Sequence, residues 1–186
     1  MGPRFRGDDA AFCIRGHAMT PHLRPGIIAA IAVLALDQAS KYWLLFVFDI
    51  AHRGAVKVTP FFDLVLAWNV GISFGWFQND GVLAQIILMI VKAVAVIVLA
   101  IWMAWSRTLI ATVALGLIIG GAIGNTIDRF AYGAVVDFAL LHLQIGANTY
   151  NWYVFNLADV AIVAGVAALL YDSFLGYPPQ KRPDPG

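Results

Sequence analysis

The chain has 186 residues, of which 61% are hydrophobic and only 12% are charged, and its mean hydropathy is +0.78. Soluble domains carry about 45–50% apolar and about 25% charged residues, so the composition excludes an ordinary soluble protein and indicates an integral membrane protein. The formal net charge of +1 offers no basic excess for nucleic acid, and the single Cys13 excludes an internal disulfide.

The two ends of the chain have the composition of tails. Residues 1–25 are polar and arginine-rich, and they lack the apolar core of a cleavable signal peptide. We expect a disordered cytoplasmic tail there, and Met19 is a candidate start that would make the residues before it an upstream extension. Residues 173–186 are rich in proline and glycine, which predicts a second tail. The folded domain is expected over residues 26–172.

The first long apolar run, residues 26–48, is long enough to cross a hydrocarbon core of about 30 Å. Asp37, Gln38 and Lys41 interrupt it. Asp37 and Lys41 are spaced i, i+4 with the acid first, which favours an ion pair on one helix face. Two interpretations stay open. In the first, the residues are structural, either as an ion pair or with a snorkelling lysine; in the second, they contact a ligand directly.

Residues 49–81 differ from the runs around them. The stretches VKVT and FDLVLAW show partial alternation of apolar and polar residues, and turn glycines follow at Gly71 and Gly75. We expect a small sheet or hairpin on the membrane surface, because open sheet edges are not tolerated within lipid. Aromatic residues such as Trp68 and Trp76 are typical of interfacial anchors.

Three further apolar runs, residues 82–105, 108–127 and 153–171, complete a prediction of four membrane-spanning helices. Only Ser106 and Arg107 separate the second run from the third, which predicts a tight antiparallel hairpin. Residues 128–152 are expected to form a loop of mixed character. Lys92, near the centre of the second run, either snorkels, pairs with an intramembrane aspartate or lines a cavity.

Glycines recur on the third predicted span. Gly116, Gly120 and Gly124 follow one another at four-residue intervals, and Gly121 is predicted to widen the same face. Small residues at this spacing let helix backbones approach closely in membranes. We therefore expect neighbouring helices to pack tightly against this span.

An even number of spans places both termini on one side of the membrane. Arginine and lysine are more frequent on that side, which the positive-inside rule makes cytoplasmic. The polar residues of the first, third and fourth spans then gather near the outer interface. These residues, with one acid from the loop between the last two spans, are Asp37, Lys41, Asn125, Asp128, Asp137, Asn156 and Asp159.

Acids gathered in a partly dry site point to acid–base chemistry. Two close carboxylates cannot both ionise comfortably, so the pair holds a shared proton. One carboxylate then acts as a base toward water, and the other acts as an acid toward a scissile carbonyl. No serine or cysteine stands beside a histidine to suggest a nucleophilic triad. His142 is expected to be an ordinary interfacial residue, and we expect neither metal nor cofactor.

Five short motifs occur in order along the chain, at Asp37 to Lys41, Asn69 to Gly75, Gly121 to Arg129, Gly133 to Phe138 and Phe155 to Asp159. Together they resemble the motifs of lipoprotein signal peptidase, also called signal peptidase II, an aspartyl peptidase of family A8 in the bacterial inner membrane. One small departure is Ile72-Ser73, where the family has a small residue before Phe-Gly, and we expect no loss of activity from it.

This resemblance implies that Asp137 and Asp159 form the catalytic dyad. Composition and spacing alone do not show which two of the nearby acids these are. The resemblance also implies an all-α membrane protein with four transmembrane helices, a small extracytoplasmic β-sheet or cradle, and a short interfacial helix from residues 49–81. The residues it assigns to support of the site or substrate are Asp37, Lys41, Asn69, Asn125, Asp128, Arg129 and Asn156.

The resemblance further implies the substrate and the partners. The substrate is a prolipoprotein that carries diacylglyceryl on a cysteine, cut just before that cysteine, and the antibiotic globomycin inhibits the family. We expect a monomer in contact with membrane lipids, without nucleic acid. Two alternatives belong to other classes of protein, namely a small proton-coupled transporter that uses the same aspartates as a relay, and a non-catalytic lipid-binding subunit.

Overall fold

The computed structural model describes residues 21–71 and 81–175. The predicted tail residues 1–20 and 176–186, and the turn residues 72–80 with their departure from the family motif, lie outside the described residues. Within the described ranges the chain is mostly helical and adds one antiparallel four-stranded sheet.

The first helix, α1, spans Leu23–Tyr42 and continues as a π-helical turn over Trp43–Val47. It begins three residues before the predicted span, so the end of the predicted tail is helical. Pro25 fits there because the first turn of a helix has no acceptor for the amide hydrogen that proline lacks. A short helix, α2, follows at Ile50–Arg53.

Two of the segments that join the long helices contribute to the sheet. Strand β1 spans Val56–Thr59, and β2 spans Phe62–Asn69, as the alternation in residues 49–81 predicts. Strand β3 spans Val135–Ile145, and β4 spans Asn148–Asn151, in the order β1-β2-β3-β4 with every pair antiparallel.

The prediction of a loop over residues 128–152 is therefore wrong. Strand β3 forms because it pairs with β2, which places Asn69 opposite Val135 and Phe62 opposite Leu141. Such a pairing joins segments far apart in sequence, so local patterns in the chain do not reveal it.

The remaining long helices are α3 at Gly81–Trp105, α4 at Leu109–Tyr132 and α5 at Leu157–Leu175. Helix α4 runs one turn beyond the predicted end at residue 127, and Gly133 stops it in the left-handed conformation, with φ of 75°. Helix α5 begins four residues later than predicted and extends past the predicted end at residue 171.

Three described helices are long and apolar enough to cross a membrane, and the protein is an integral membrane protein. Helix α3 contributes a shorter apolar stretch, counted over those residues whose side chains the structure describes. The long spans are Leu23–Val47, Leu109–Tyr132 and Leu157–Phe174, and the shorter stretch is Met89–Trp105.

Helix α4 lies at the centre of the bundle and contacts α1, α3 and α5. A Cβ atom added at Gly120 would collide with the backbone oxygen of Ala30 in α1, and one at Gly124 would lie 2.5 Å from Asp37 Oδ2. The predicted close approach is thus confirmed. Gly121, however, faces the backbone oxygen of Ala158 in α5, at 2.6 Å from an added Cβ, so it serves a second interface instead of widening the first.

Candidate active site

Polar side chains from three helices and two strands converge where α4 ends and α5 begins. All nine positions that the motif resemblance assigns to catalysis or support are linked there by hydrogen bonds or ion pairs. Most are buried, whereas Asn69 is exposed and two others are half-buried. These nine are Asp37, Lys41, Asn69, Asn125, Asp128, Arg129, Asp137, Asn156 and Asp159.

The i, i+4 pair predicted on α1 is confirmed and is part of a larger group. Lys41 Nζ lies 2.8 Å from Asp37 Oδ2 and 2.6 Å from Asp128 Oδ2, and it donates to Asn125 Oδ1 at 3.1 Å. Only 2% of Lys41 is exposed, so its ammonium does not snorkel to the interface. One cation between two buried carboxylates joins α1 to α4 and offsets the desolvation of both acids.

Gln38 belongs to this group, although sequence reasoning did not assign it to the site. Its side-chain amide donates to Asp128 Oδ1 at 2.9 Å, to the backbone oxygen of Gly124 at 3.2 Å and to Asp37 Oδ2 at 3.2 Å. The sequence did contain a signal for this role. Gln38 is an amide next to an acid in an apolar run, where an unpaired polar group is costly.

Backbone amides complete the hydrogen bonds of the two buried acids. The amide of Ala158, in the first turn of α5, donates to Asp37 Oδ1 at 3.0 Å. The amide of Val136, at the start of β3, donates to Asp128 Oδ2 at 3.2 Å. Asp37 and Asp128 therefore position the two elements that carry Asp137 and Asp159, which is a supporting arrangement.

Two asparagines connect this support to the predicted dyad. Asn156 Nδ2 donates to Asp137 Oδ1 at 2.6 Å and to Asn125 Oδ1 at 3.0 Å. Asn125 Nδ2 in turn donates to Asp159 Oδ1 at 2.9 Å. The two aspartates are thus held at opposite ends of one chain of side-chain amides.

Asp159 also takes part in the start of α5. Its backbone amide donates to Asn156 Oδ1 at 3.0 Å, and the amide of Asn156 donates to Asp159 Oδ2 at 3.1 Å, which is the reciprocal pattern of a capping box. Just before it, Phe155 forms an isolated bridge with Ala139 of β3. Helix capping is therefore one function of Asp159, and the bridge holds the start of α5 beside the strand of Asp137.

Asn69 reaches Asp137 from the neighbouring strand. Its Nδ2 donates to Asp137 Oδ2 at 3.0 Å, while its Oδ1 accepts from the backbone amide of Gly71 at 3.0 Å. The pairing of Ala67 with Asp137 in the sheet places Asn69 two pairs beyond it, on the same face. The sheet thus contributes both an acid and an amide to the site.

Burial raises the pKa of Asp137 above the ordinary carboxyl value. The hydrogen bond from Asn69 opposes this shift, the negative charge of Asp159 adds to it, and the bond from Asn156 opposes it again. Asp137 is only 2% exposed, whereas Asp159 is half-buried. The pair therefore combines a shielded carboxyl with a more accessible one.

Two cations lie near the acids without a direct ion pair to them among the described residues. Arg129 Nη1 donates to the backbone oxygen of Asn125 at 3.1 Å, and its buried Nε has no hydrogen-bond partner within the described part of the chain. Lys92 of α3 is half-buried and interacts electrostatically with Arg129 and Asp159. Because no ion pair of Lys92 occurs among the described residues, its three interpretations stay open.

His142 lies on β3, away from the acids of the site. Its Nε2 is 3.3 Å from Asp63 Oδ2 of β2, and the two side chains are mostly shielded. It is thus a partly buried sheet residue with an acidic neighbour. No group of three or more potential metal ligands occurs among residues 21–71 and 81–175.

Apolar helices that enclose buried acids beside a small sheet define an integral membrane protein with a carboxylate-rich polar site. Two solved structures of bacterial membrane enzymes have a similar fold. The alignment with the first has a TM-score of 0.70 and 25% sequence identity, and it covers 87% of this chain and 99% of the other chain. The other has a TM-score of 0.63 and 26% identity, and covers 84% and 94%.

Residues 29–175 match the family model described as signal peptidase (SPase) II. The chain belongs to this family, the lipoprotein signal peptidases, and is an aspartic peptidase. The lipoprotein signal peptidase of Nitrobacter hamburgensis is 72% identical over 89% of this chain and 100% of its own length. That of Rhodopseudomonas palustris is 65% identical over the same shares, and that of Methylorubrum extorquens is 52% identical over 81% and 85%.

Proposed function

We propose that the protein removes signal peptides from diacylglyceryl-modified prolipoproteins, using Asp137 and Asp159 as its catalytic dyad. The observation that supports this assignment best is the chain of amides that joins the two acids. Asn156 orients Asp137 at 2.6 Å, and Asn125 orients Asp159 at 2.9 Å. Asp37 and Asp128, by contrast, share the ammonium of Lys41, which leaves them a supporting function.

The two acids divide the proton transfers between them. Asp137 is the shielded carboxyl with the raised pKa, so it holds the shared proton and donates it to the oxygen of the scissile carbonyl. Asp159 lies at the N-terminus of α5, where a negative charge is favourable, and accepts a proton from the attacking water. That proton then passes to the leaving amide nitrogen as the tetrahedral intermediate collapses, and one hydroxyl proton of the intermediate returns to Asp137 as the carbonyl re-forms.

The supporting residues hold this geometry in place. Arg129 Nη1 donates to the backbone oxygen of Asn125, which fixes its guanidinium group at the end of α4. Asn69 keeps the second oxygen of Asp137 fixed from the sheet side. Such preorganised donors lower the barrier because they need no rearrangement during the reaction.

The location of the site fits a lipid-anchored substrate. The acids lie at one end of apolar helices, where water reaches them while the diacylglyceryl group of the substrate stays in the bilayer. We propose four spans, with α3 as the second, in a bacterial inner membrane with the site near the extracytoplasmic face.

A monomer suffices for this site, and globomycin is the expected inhibitor. Membership of the peptidase family gives no support to a transporter.

Cleavage of a synthetic diacylated prolipoprotein peptide tests the proposal. Asp137→Asn and Asp159→Asn should each lower the initial rate at least about a thousandfold, because the dyad acts as a unit. Mass spectrometry of the products should place the wild-type cut on the N-terminal side of the lipidated cysteine.

Lys57→Gln is a suitable control, since Lys57 is exposed on β1 and away from the site. Its rate should equal that of the wild type. Asparagine preserves the shape of aspartate, so both dyad variants should retain the wild-type circular dichroism spectrum in detergent. Turnover within about tenfold of wild type by either variant would show that the dyad is assigned to the wrong acids.

A further inference from the structure

A cavity lies at the end of the bundle opposite the acids. It occupies about 540 Å³ between the end of α3, the start of α4 and the end of α5. Helix α4 rises about 1.5 Å per residue, so its start at Leu109 lies roughly 30 Å from Asp128. The cavity is therefore separate from the catalytic site, although its volume is within the range of ligand pockets, about 300–1,000 Å³.

One wall of the cavity is apolar and faces outward. Trp102 and Trp105 of α3 are 52% and 66% exposed, and Val166 and Leu170 of α5 are 45% and 54% exposed. Exposed side chains of this kind on membrane-spanning helices contact lipid, and tryptophan concentrates at the level of the head groups. This wall is suited to the upper part of acyl chains.

The other wall carries charges of both signs. Arg107 is exposed and makes no hydrogen bond or ion pair with any described residue, although it lines the same cavity as Asp172. Asp172 Oδ2 accepts from Thr108 Oγ1 at 2.9 Å, and its other oxygen has no partner within the described ranges. Ser106 adds a hydroxyl group to this wall.

We propose that this cavity binds an aminophospholipid, a lipid whose head group pairs a phosphate with a primary ammonium. Arg107 holds the phosphate, and the free oxygen of Asp172 holds the ammonium. The tryptophans and the aliphatic residues of α5 cover the first carbons of the acyl chains. An anionic lipid without an amine would face Asp172 as an unfavourable like charge, so the cavity discriminates between lipid classes by charge pattern.

Native mass spectrometry of the detergent-purified full chain tests this proposal. The protein is incubated with equal amounts of dioleoyl-phosphatidylethanolamine and dioleoyl-phosphatidylglycerol. Wild type should retain one molecule of the ethanolamine lipid in preference to the glycerol lipid. Arg107→Gln should reduce retention of both lipids about fivefold, the effect of one cation near a membrane surface.

Asp172→Asn gives the discriminating result. Asparagine keeps an oxygen to accept from Thr108 but lacks the charge that pairs with the ammonium. Retention of the ethanolamine lipid should fall about fivefold while that of the glycerol lipid stays the same or rises. Arg107→Lys should restore most of the retention, and Lys57→Gln at the far end of the molecule should change nothing.

Three outcomes would overturn the proposal. Equal retention by wild type, Arg107→Gln and Asp172→Asn would mean that the lipid is held without these charges. Equal binding of glycerophosphoethanolamine, which has the head group but no chains, would exclude a lipid site. Lipid retention that arises only after truncation at residue 175 would mean that the chain's own C-terminal residues occupy the cavity.

Discussion

Asn156 connects two functions that single substitutions can separate. It precedes α5 as its cap, and it donates to Asp137 and Asn125. Asn156→Ala should lose about 1 kcal/mol of stability through the cap and more through the buried Oδ1 of Asp137, which loses its donor. Cleavage should fall at least about tenfold, because Asp137 loses a short hydrogen bond. Thermal unfolding in detergent and initial rates measure the two effects.

The matched control is Asn156→Ser. Serine is as good a cap as asparagine, but its hydroxyl is too short to span both Asp137 and Asn125. We expect most of the capping stability to return while the rate stays low. Recovery of both properties together would mean that Asn156 acts on catalysis only through the helix terminus.

The raised pKa of Asp137 predicts how stability depends on pH. Burial is its first cause, so the folded protein keeps a proton on Asp137 at pH values where the unfolded chain, with a carboxyl pKa of about 4, has lost it. The folded state then binds more protons, and the free energy of unfolding falls as pH rises from about 4 through the raised value.

Asp137→Asn removes this titration. The melting temperature of the variant relative to wild type should therefore increase with pH over that window and level off above it. Differential scanning fluorimetry in detergent, from pH 4 to pH 8, measures the difference. A difference that is constant with pH would show that Asp137 titrates alike in the folded and unfolded states.

At the scale of elements, glycines set the distances between helices. Gly120 allows α4 to touch the backbone of Ala30 in α1, and an added Cβ would also lie 3.0 Å from Val33 Cβ. Gly120→Ala should force the two helices apart and destabilise the protein by about 1–3 kcal/mol. Activity should fall as well, since Asp37 of α1 and Asp128 of α4 share Lys41.

Unfolding in a denaturing detergent, followed by circular dichroism, measures this change. Ile127→Ala is the control on the same helix, because Ile127 is 40% exposed and truncation there should change stability by about 0.5 kcal/mol or less. Equal stability of Gly120→Ala and wild type would mean that α1 can shift away from α4 without loss of stability.

At the scale of the molecule, the proposed topology predicts which surfaces face each compartment. Lys57 of β1 and Arg107 of the α3–α4 connection are both exposed and lie at opposite ends of the helices. On a Cys13→Ser background, Lys57→Cys in intact cells should react with a membrane-impermeant thiol reagent. Arg107→Cys should react only after permeabilisation, and the reverse pattern would contradict the proposed orientation.

Much of this architecture is determined by the sequence alone. Hydropathy and charge identify a membrane protein and place its long helices to within a few residues, because burial in lipid is a local property of each run. The i, i+4 spacing of Asp37 and Lys41 predicts their ion pair, which the structure confirms. The motif resemblance to the signal peptidases is confirmed by the family match over residues 29–175.

Only the tertiary structure decided how these parts meet. Strands β3 and β4 form because β3 pairs with β2, which is far away in sequence, whereas the local sequence pattern predicted a loop. The sharing of Lys41 with Asp128 and the amide chain from Asn125 to Asn156 depend on distances of about 3 Å between separate elements. Spacing within one helix contains no information about such distances, whereas packing between helices determines them.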